Sequence, residues 1–232
     1  MKAIGIIGGM SPESTIEYYK YIVHSYVNKY GDSFYPKIII HSVSFQKYIN
    51  WMKKDKTEPI KEGLFKAAQS LERAGANFLI LATNTMHLYT EKIKSRCNLY
   101  LFEITEVVKQ LIKEKNYEKV GVIGTKSCME KGLYQKILEK SGIEVMIPEE
   151  KDRLFIHKTI FDEFTKGIFL PERKKQFEII INSLKKRGAN AVIMGCTEIP
   201  LLLDNHNIDI ELIDTTRLHA QKALEYSLND NQ

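Results

Sequence analysis

Apolar residues in this chain gather in short continuous runs, separated by segments in which they recur every third or fourth position. Runs at 3–7, 37–42, 78–81 and 99–102 have the length of strands, and so do those at 119–123, 144–147, 191–194 and 210–213. Between them the periodicity predicts helices over 12–30, ending near 74, near 130–141, across a long region before 191, and from about 216. Strands without polar alternation are buried on both faces, and strand–helix–strand succession predicts parallel sheets covered by helices.

The pattern repeats. RAGANFLILATNTMH at 73–87 is followed 113 positions later by KRGANAVIMGCTEIP at 186–200, with Gly75, Ala76 and Asn77 falling on Gly188, Ala189 and Asn190. AIGIIGG at 3–9 matches KVGVIGT at 119–125, and YLFEIT at 100–105 matches ELIDTT at 211–216. Three matched segments in the same order predict two pseudo-symmetric α/β halves, each with a parallel sheet. The break falls near 112, giving halves of 1–112 and 113–215, with the helix from 216 to 232 packing back on the first.

Composition narrows the class. Apolar residues make up 44% and charged residues 27%, ordinary values for a globular protein of 232 residues. The net charge of +5 comes from 34 basic and 29 acidic residues interleaved along helices, as in KEKNYEK, which reads as solvated helix faces rather than a nucleic-acid stripe. No apolar run approaches the ~18 residues of a membrane span. The three cysteines, Cys97, Cys128 and Cys196, show no CxxC spacing, which argues against a zinc site and predicts a cytoplasmic setting.

Ligands of open parallel sheets bind beyond the carboxyl ends of the strands. Thr83 and Cys196 each lie one or two residues past such an end, at matching places in the repeat, and two similar groups facing one cleft suit proton exchange at a stereocentre. A cysteine entering a helix meets oriented amides that favour its thiolate. The neighbours Asn84 and Thr197 have the chemistry to hold a carboxylate. The first loop, GGMSPEST, lacks the GxGxxG spacing of a dinucleotide site and the lysine of a P-loop. It offers a helix start with Ser11 as N-cap and Pro12 at the first position, or an anion pocket of turn amides. His87 and His219 read as structural histidines, and Cys97 and Cys128 as packing or surface residues. Lys166, before Gly167, is a candidate substrate-facing cation, the glycine permitting close approach.

IGIIGGMSPESTIEYY, HSVSF, TNTMH, GCTEI and DTTRLHA, spread over residues 4–220, resemble the cofactor-independent aspartate/glutamate racemase family and within it the aspartate racemase branch. That resemblance implies a two-domain fold with the active site in the cleft between the domains, a homodimer, and catalysis without pyridoxal phosphate or metal. It also implies a pair of catalytic cysteines that remove and return the α-proton on opposite faces of a small acidic amino acid. By motif the second is Cys196. The first position is Thr83, a departure from the family's usual cysteine that some similar members share. Met10, Ser11, Asn84, Thr85 and Thr197 match positions around the substrate carboxylates, Lys166 a cationic position, and Met52 or Lys53 a further substrate position.

A hydroxyl without a neighbouring base is a far weaker proton acceptor than a thiol, so the expectation is an enzyme with Cys196 as efficient acid/base and Thr83 as weak partner. Two other readings compete with it. One is a single-cysteine decarboxylase or cis–trans isomerase acting on a dicarboxylate, and the other a non-catalytic binder of acidic amino acids.

Overall fold

The computed structural model describes residues 1–203 and 208–229. Its chain divides into two compact units, Met1–Ile104 with the segment from Thr216 onward, and Thr105–Thr215. The division thus lies at Ile104, where the sequence pattern set it near 112.

In the first unit β1 (Ile4–Gly8) leads to α1 (Pro12–Tyr30), and β2 (Ile38–Ser42) to α2 (Phe45–Lys53) and α3 (Thr57–Arg73). β3 (Phe78–Leu81) runs into a 3-10 turn (Thr85–Tyr89) and α4 (Glu91–Arg96), followed by β4 (Tyr100–Leu101), and α5 (Ile104–Glu114) opens the second unit. The second unit repeats the plan with β5 (Lys119–Gly124), α6 (Lys126–Glu130), α7 (Gln135–Leu138), β6 (Glu144–Met146), α8 (Glu150–Asp162) and α9 (Pro171–Lys186). It ends with β7 (Ala191–Gly195), α10 (Ile199–Leu202) and β8 (Glu211–Asp214), before α11 (Thr215–Leu228).

Both sheets are parallel, and their strand orders correspond: β2-β1-β3-β4 and β6-β5-β7-β8. The register corresponds too. Ile4 lies beside Phe78 and Ile7 beside Leu81 in one sheet, and Val120 beside Ala191 and Ile123 beside Met194 in the other.

The repeated GAN triplet explains how each central pair is started. Gly75 and Gly188 adopt φ of 89° and 100°, the left-handed turn that ends the preceding helix at little cost only for glycine. The asparagine that follows then clamps the neighbouring strand. Asn77 N–H donates to the Ala3 carbonyl at 2.9 Å, and Asn77 Oδ1 accepts from Ala3 N–H at 2.6 Å. Asn190 does the same to Lys119, at 2.7 and 3.0 Å.

The unbroken apolar runs are used on both faces. Phe78 and Ile80 point to the side covered by α1 and α11, with Tyr18, Ile22 and Ala220, whereas Leu79 and Leu81 point to the side of α2 and α3, with Leu64 and Ala68. Each such side chain contributes about 1.5–3 kcal/mol when fully buried. α11 is tied to the first unit's edge by the Ser227 hydroxyl on the Lys2 carbonyl and by Lys2 N–H on the Ser227 carbonyl, at 2.6 and 2.8 Å.

Two helical expectations differ in detail. The helix expected near 130–141 is broken, because Gly132 turns through φ 72° between α6 and α7 and a 3-10 turn, Glu139–Ser141, finishes the segment. The long region before 191 is two helices, parted by the 3-10 turn Phe164–Lys166 and restarted at Pro171, a residue suited to a first helical position. Among the described residues no helix is long and apolar enough to cross a membrane.

Candidate active site

β3 ends at Leu81, and Ala82 N–H still reaches back to the Ile7 carbonyl at 2.9 Å. Beyond it the chain turns sharply, with Thr83 N–H donating to the Leu81 carbonyl at 2.8 Å. The Thr83 carbonyl accepts from His87 Nδ1 at 2.8 Å, and His87 Nε2 accepts from Ile104 N–H at 3.3 Å. A backbone N–H can only donate and a carbonyl only accept, so His87 is neutral with its proton on Nδ1. Burial, the main cause, holds its pKa down to about 4. His219 is neutral in the opposite tautomer. Its Nε2 donates to the Phe102 carbonyl at 2.8 Å, its Nδ1 accepts from the Tyr18 hydroxyl at 2.7 Å, and burial lowers its pKa to about 3. His87 thereby fixes the turn carrying Thr83, Asn84 and Thr85, all three buried, while His219 ties α11 to α1 and to the strand end at Phe102.

The first loop also packs its predicted residues inward. Met10 and Ser11 are buried beside the end of β1. Ser11 stands at the N-cap, as its sequence context predicts, but its hydroxyl makes no capping bond to the helix. Thr15 ties the loop instead, accepting from Gly9 N–H at 2.8 Å and donating to the Ser11 carbonyl at 3.3 Å. Met52, near the end of α2, packs against the core under that helix, and Lys53 is exposed.

In the second unit Cys196 follows directly on the last residue of β7. The Cys196 thiol donates to Glu198 Oε2 at 3.0 Å, and the Thr197 hydroxyl donates to the same oxygen at 2.8 Å. All three side chains are buried. The thiol's pKa is raised well above its ordinary value, first by burial and then by the Glu198 carboxylate, although a hydrogen bond from the Glu198 backbone acts in the other direction.

This overturns the expectation of a thiolate stabilised by a helix N-terminus. α10 has only four residues and begins at Ile199, too short to sum a useful dipole, and an anionic neighbour outweighs the local amides. The resting side chain is a thiol.

Glu198 is the buried acid at this strand exit that the sequence reading passed over. It stands in the quoted CTE triplet, but nothing in that spacing shows a glutamate buried against its own loop. Cys128 is fully buried and inert, its thiol pushed up to about 12 by burial.

Lys166 closes the 3-10 turn and is exposed. Gly167 is there for its left-handed φ of 72°, not for close approach, since a Cβ built on it would meet nothing within 4 Å. The turn is braced by Arg173, whose Nε and terminal nitrogen donate to the Glu163 carboxylate at 2.6–3.0 Å. Among the described residues no group of three or more His, Cys, Asp or Glu side chains could hold a metal ion.

Residues 7–223 match the model of the Asp/Glu/hydantoin racemase family. A broad specificity amino-acid racemase from Bacillus subtilis strain 168, RacX, is 26% identical over 229 residues, covering 95% of this chain and 96% of the relative. Among solved structures, one from Yersinia pestis proposed to be an Asp/Glu racemase superposes with a TM-score of 0.90 at 36% identity, over 99% of this chain and all of that one. An aspartate racemase homologue from Pyrococcus horikoshii OT3 gives 0.86 at 33% identity, over 99% and 100%.

Proposed function

Given that the chain belongs to the Asp/Glu/hydantoin racemase family, we propose that it is an amino-acid racemase acting on aspartate or glutamate, with Cys196 and Thr83 as its proton-handling residues. The observation that carries this reading is the equivalence of the two strand exits. Thr83 and Cys196 follow the central strands of two sheets with the same order and register, so each unit offers one proton-handling side chain at the same place. An acidic substrate is favoured by the likeness to an aspartate racemase homologue and by the exposed Lys166, a cation for the side-chain carboxylate.

In this reading Met10, Ser11, Asn84, Thr85 and Thr197 hold the substrate carboxylates, and Met52 shapes the pocket from α2. No pyridoxal phosphate or metal takes part. Cys196 exchanges the α-proton on its side. Thr83 does so poorly on the other, because an alcohol lacks an acidic proton and a basic lone pair in the working pH range. The equilibrium constant between enantiomers is one whatever the catalyst, so the asymmetry appears only in rates. Each enantiomer of aspartate and of glutamate, incubated with the protein in heavy water, should lose its α-proton signal at a different rate. Equal loss from both hands would remove the asymmetry, and no loss from either would remove the racemase.

One observation favours a second reading. A thiol kept protonated by burial and a carboxylate suits a proton donor, which is the step a single-cysteine decarboxylase requires. Release of carbon dioxide from a malonate, with no α-proton exchange on amino acids, would select it.

A further inference from the structure

We propose that Glu198 is the positioning residue that governs the protonation of Cys196, holding the thiol proton in the resting protein and accepting it as the sulfur takes an α-proton from substrate. The substrate side of this step rests on the racemase reading above; the protein side rests on the loop's geometry. A buried carboxylate oxygen stands 3.0 Å from the sulfur as acceptor of its proton, and the Thr197 hydroxyl donates to the same oxygen from 2.8 Å. Such an arrangement leaves the thiol a poor base on its own. With the carboxylate as acceptor it becomes a relay.

The step balances without a further reactant. The S–H bond breaks toward Glu198 Oε2 as the Cα–H bond breaks toward sulfur. The sulfur closes a new S–H bond with the arriving proton, and an O–H bond forms on Glu198. The Cα–H electron pair remains on carbon, so the negative charge passes from the carboxylate to the carbanion. In reverse, the thiol protonates the carbanion while Glu198 returns its proton to sulfur.

Glu198 lies in the thiol's own loop and Cys128 on α6; Cys128 and the ring of Tyr134 both pack beside Gly195. On β8 the charged residue nearest in register is Asp214, beside Met194. Of the two groups that raise the thiol's pKa through charge, Glu198 has the larger influence and Cys128 is itself neutral until about pH 12. The first unit has no counterpart at the matching position, where Thr85 replaces the acid.

The test is the pH dependence of iodoacetamide alkylation at Cys196, read by peptide mass spectrometry so that Cys97 and Cys128 are separated, in the wild type, Glu198→Gln and Glu198→Asp. Removing the charge should lower the alkylation midpoint by about one pH unit or more, quickening alkylation at pH 8 roughly tenfold. Over the same substitution, α-proton exchange should fall on the order of 10²-fold. Glu198→Asp, which keeps the charge, should retain the high midpoint and recover part of the exchange. A loop that is merely loosened raises alkylation at every pH and leaves the midpoint where it was, and an unmoved midpoint in a folded Glu198→Gln protein would overturn the proposal. So would a Glu198→Gln protein that exchanges at the wild-type rate. A moved midpoint in a protein whose wild type exchanges nothing would uphold the pair and fell only the racemase reading.

Discussion

The exits of β3 and β7 are copies of one structural idea with different chemistry. Both follow a buried central strand, and both begin after the same GAN clamp. At β3 the triplet is Thr83-Asn84-Thr85, held by a neutral histidine on the Thr83 carbonyl. At β7 it is Cys196-Thr197-Glu198, in which thiol and carboxylate share a proton. All three positions differ: a hydroxyl at 83 faces a thiol at 196, the Asn84 amide a hydroxyl at 197, and the Thr85 hydroxyl an acid at 198. The two scaffolds match in strand order, register and clamp, while the side chains at their exits differ.

Cys196→Ala is the strongest way to strip this contrast. It should reduce α-proton exchange by about 10²–10⁴-fold, measured by proton spectroscopy in heavy water, whereas Thr83→Ala should cost far less. If the two losses were equal, the halves would be chemically equivalent after all.

Acid should separate the units next. His87 and His219 both belong to the first unit, and burial holds them neutral with pKa values of about 4 and about 3. In the unfolded chain each titrates near 6.5. Between pH 6.5 and 4 the unfolded state therefore binds more protons, so stability declines as pH falls through that window, by roughly 3 kcal/mol for His87. The sole tryptophan, Trp51, lies on α2 of this unit, so the midpoint of its fluorescence melt should drop across the same range. A midpoint flat from pH 7 to 4 would contradict the neutral assignment.

The second unit is sensitive on the other side. Cys128 and Cys196 have pKa values raised by burial, and the stability they lend as thiols is lost as pH rises above about 9.

The smallest effect expected is a gain. Thr83→Cys should quicken exchange of the slower enantiomer about tenfold, and adding Thr85→Glu should raise it further by supplying the missing proton acceptor. A double variant no faster than the single one would count against the carboxylate's part.

Much of this was legible without coordinates, for identifiable reasons. Continuous apolar runs such as Phe78–Leu81 read as doubly covered parallel strands because burial on both faces leaves no room for polar alternation. The strand exits were locatable because ligand chemistry in such sheets gathers at the carboxyl ends. Other features were not. The Ser11 context reads as a cap, yet its hydroxyl makes no capping bond and Thr15, one turn into the helix, ties the loop through Gly9 N–H and the Ser11 carbonyl. Gly167 reads as room for a neighbour, yet it serves a backbone angle.

The order of apolar and polar residues by itself determined two repeated parallel α/β units and put residues 83 and 196 at equivalent exits from their central strands. Only the tertiary structure decided the state of the side chains there. Whether a cysteine is a thiolate or a thiol depends on burial and on the charges a few ångströms from its sulfur. Here the loop after β7 folds a carboxylate onto it, a proximity that lies in three dimensions and not in the spacing of letters.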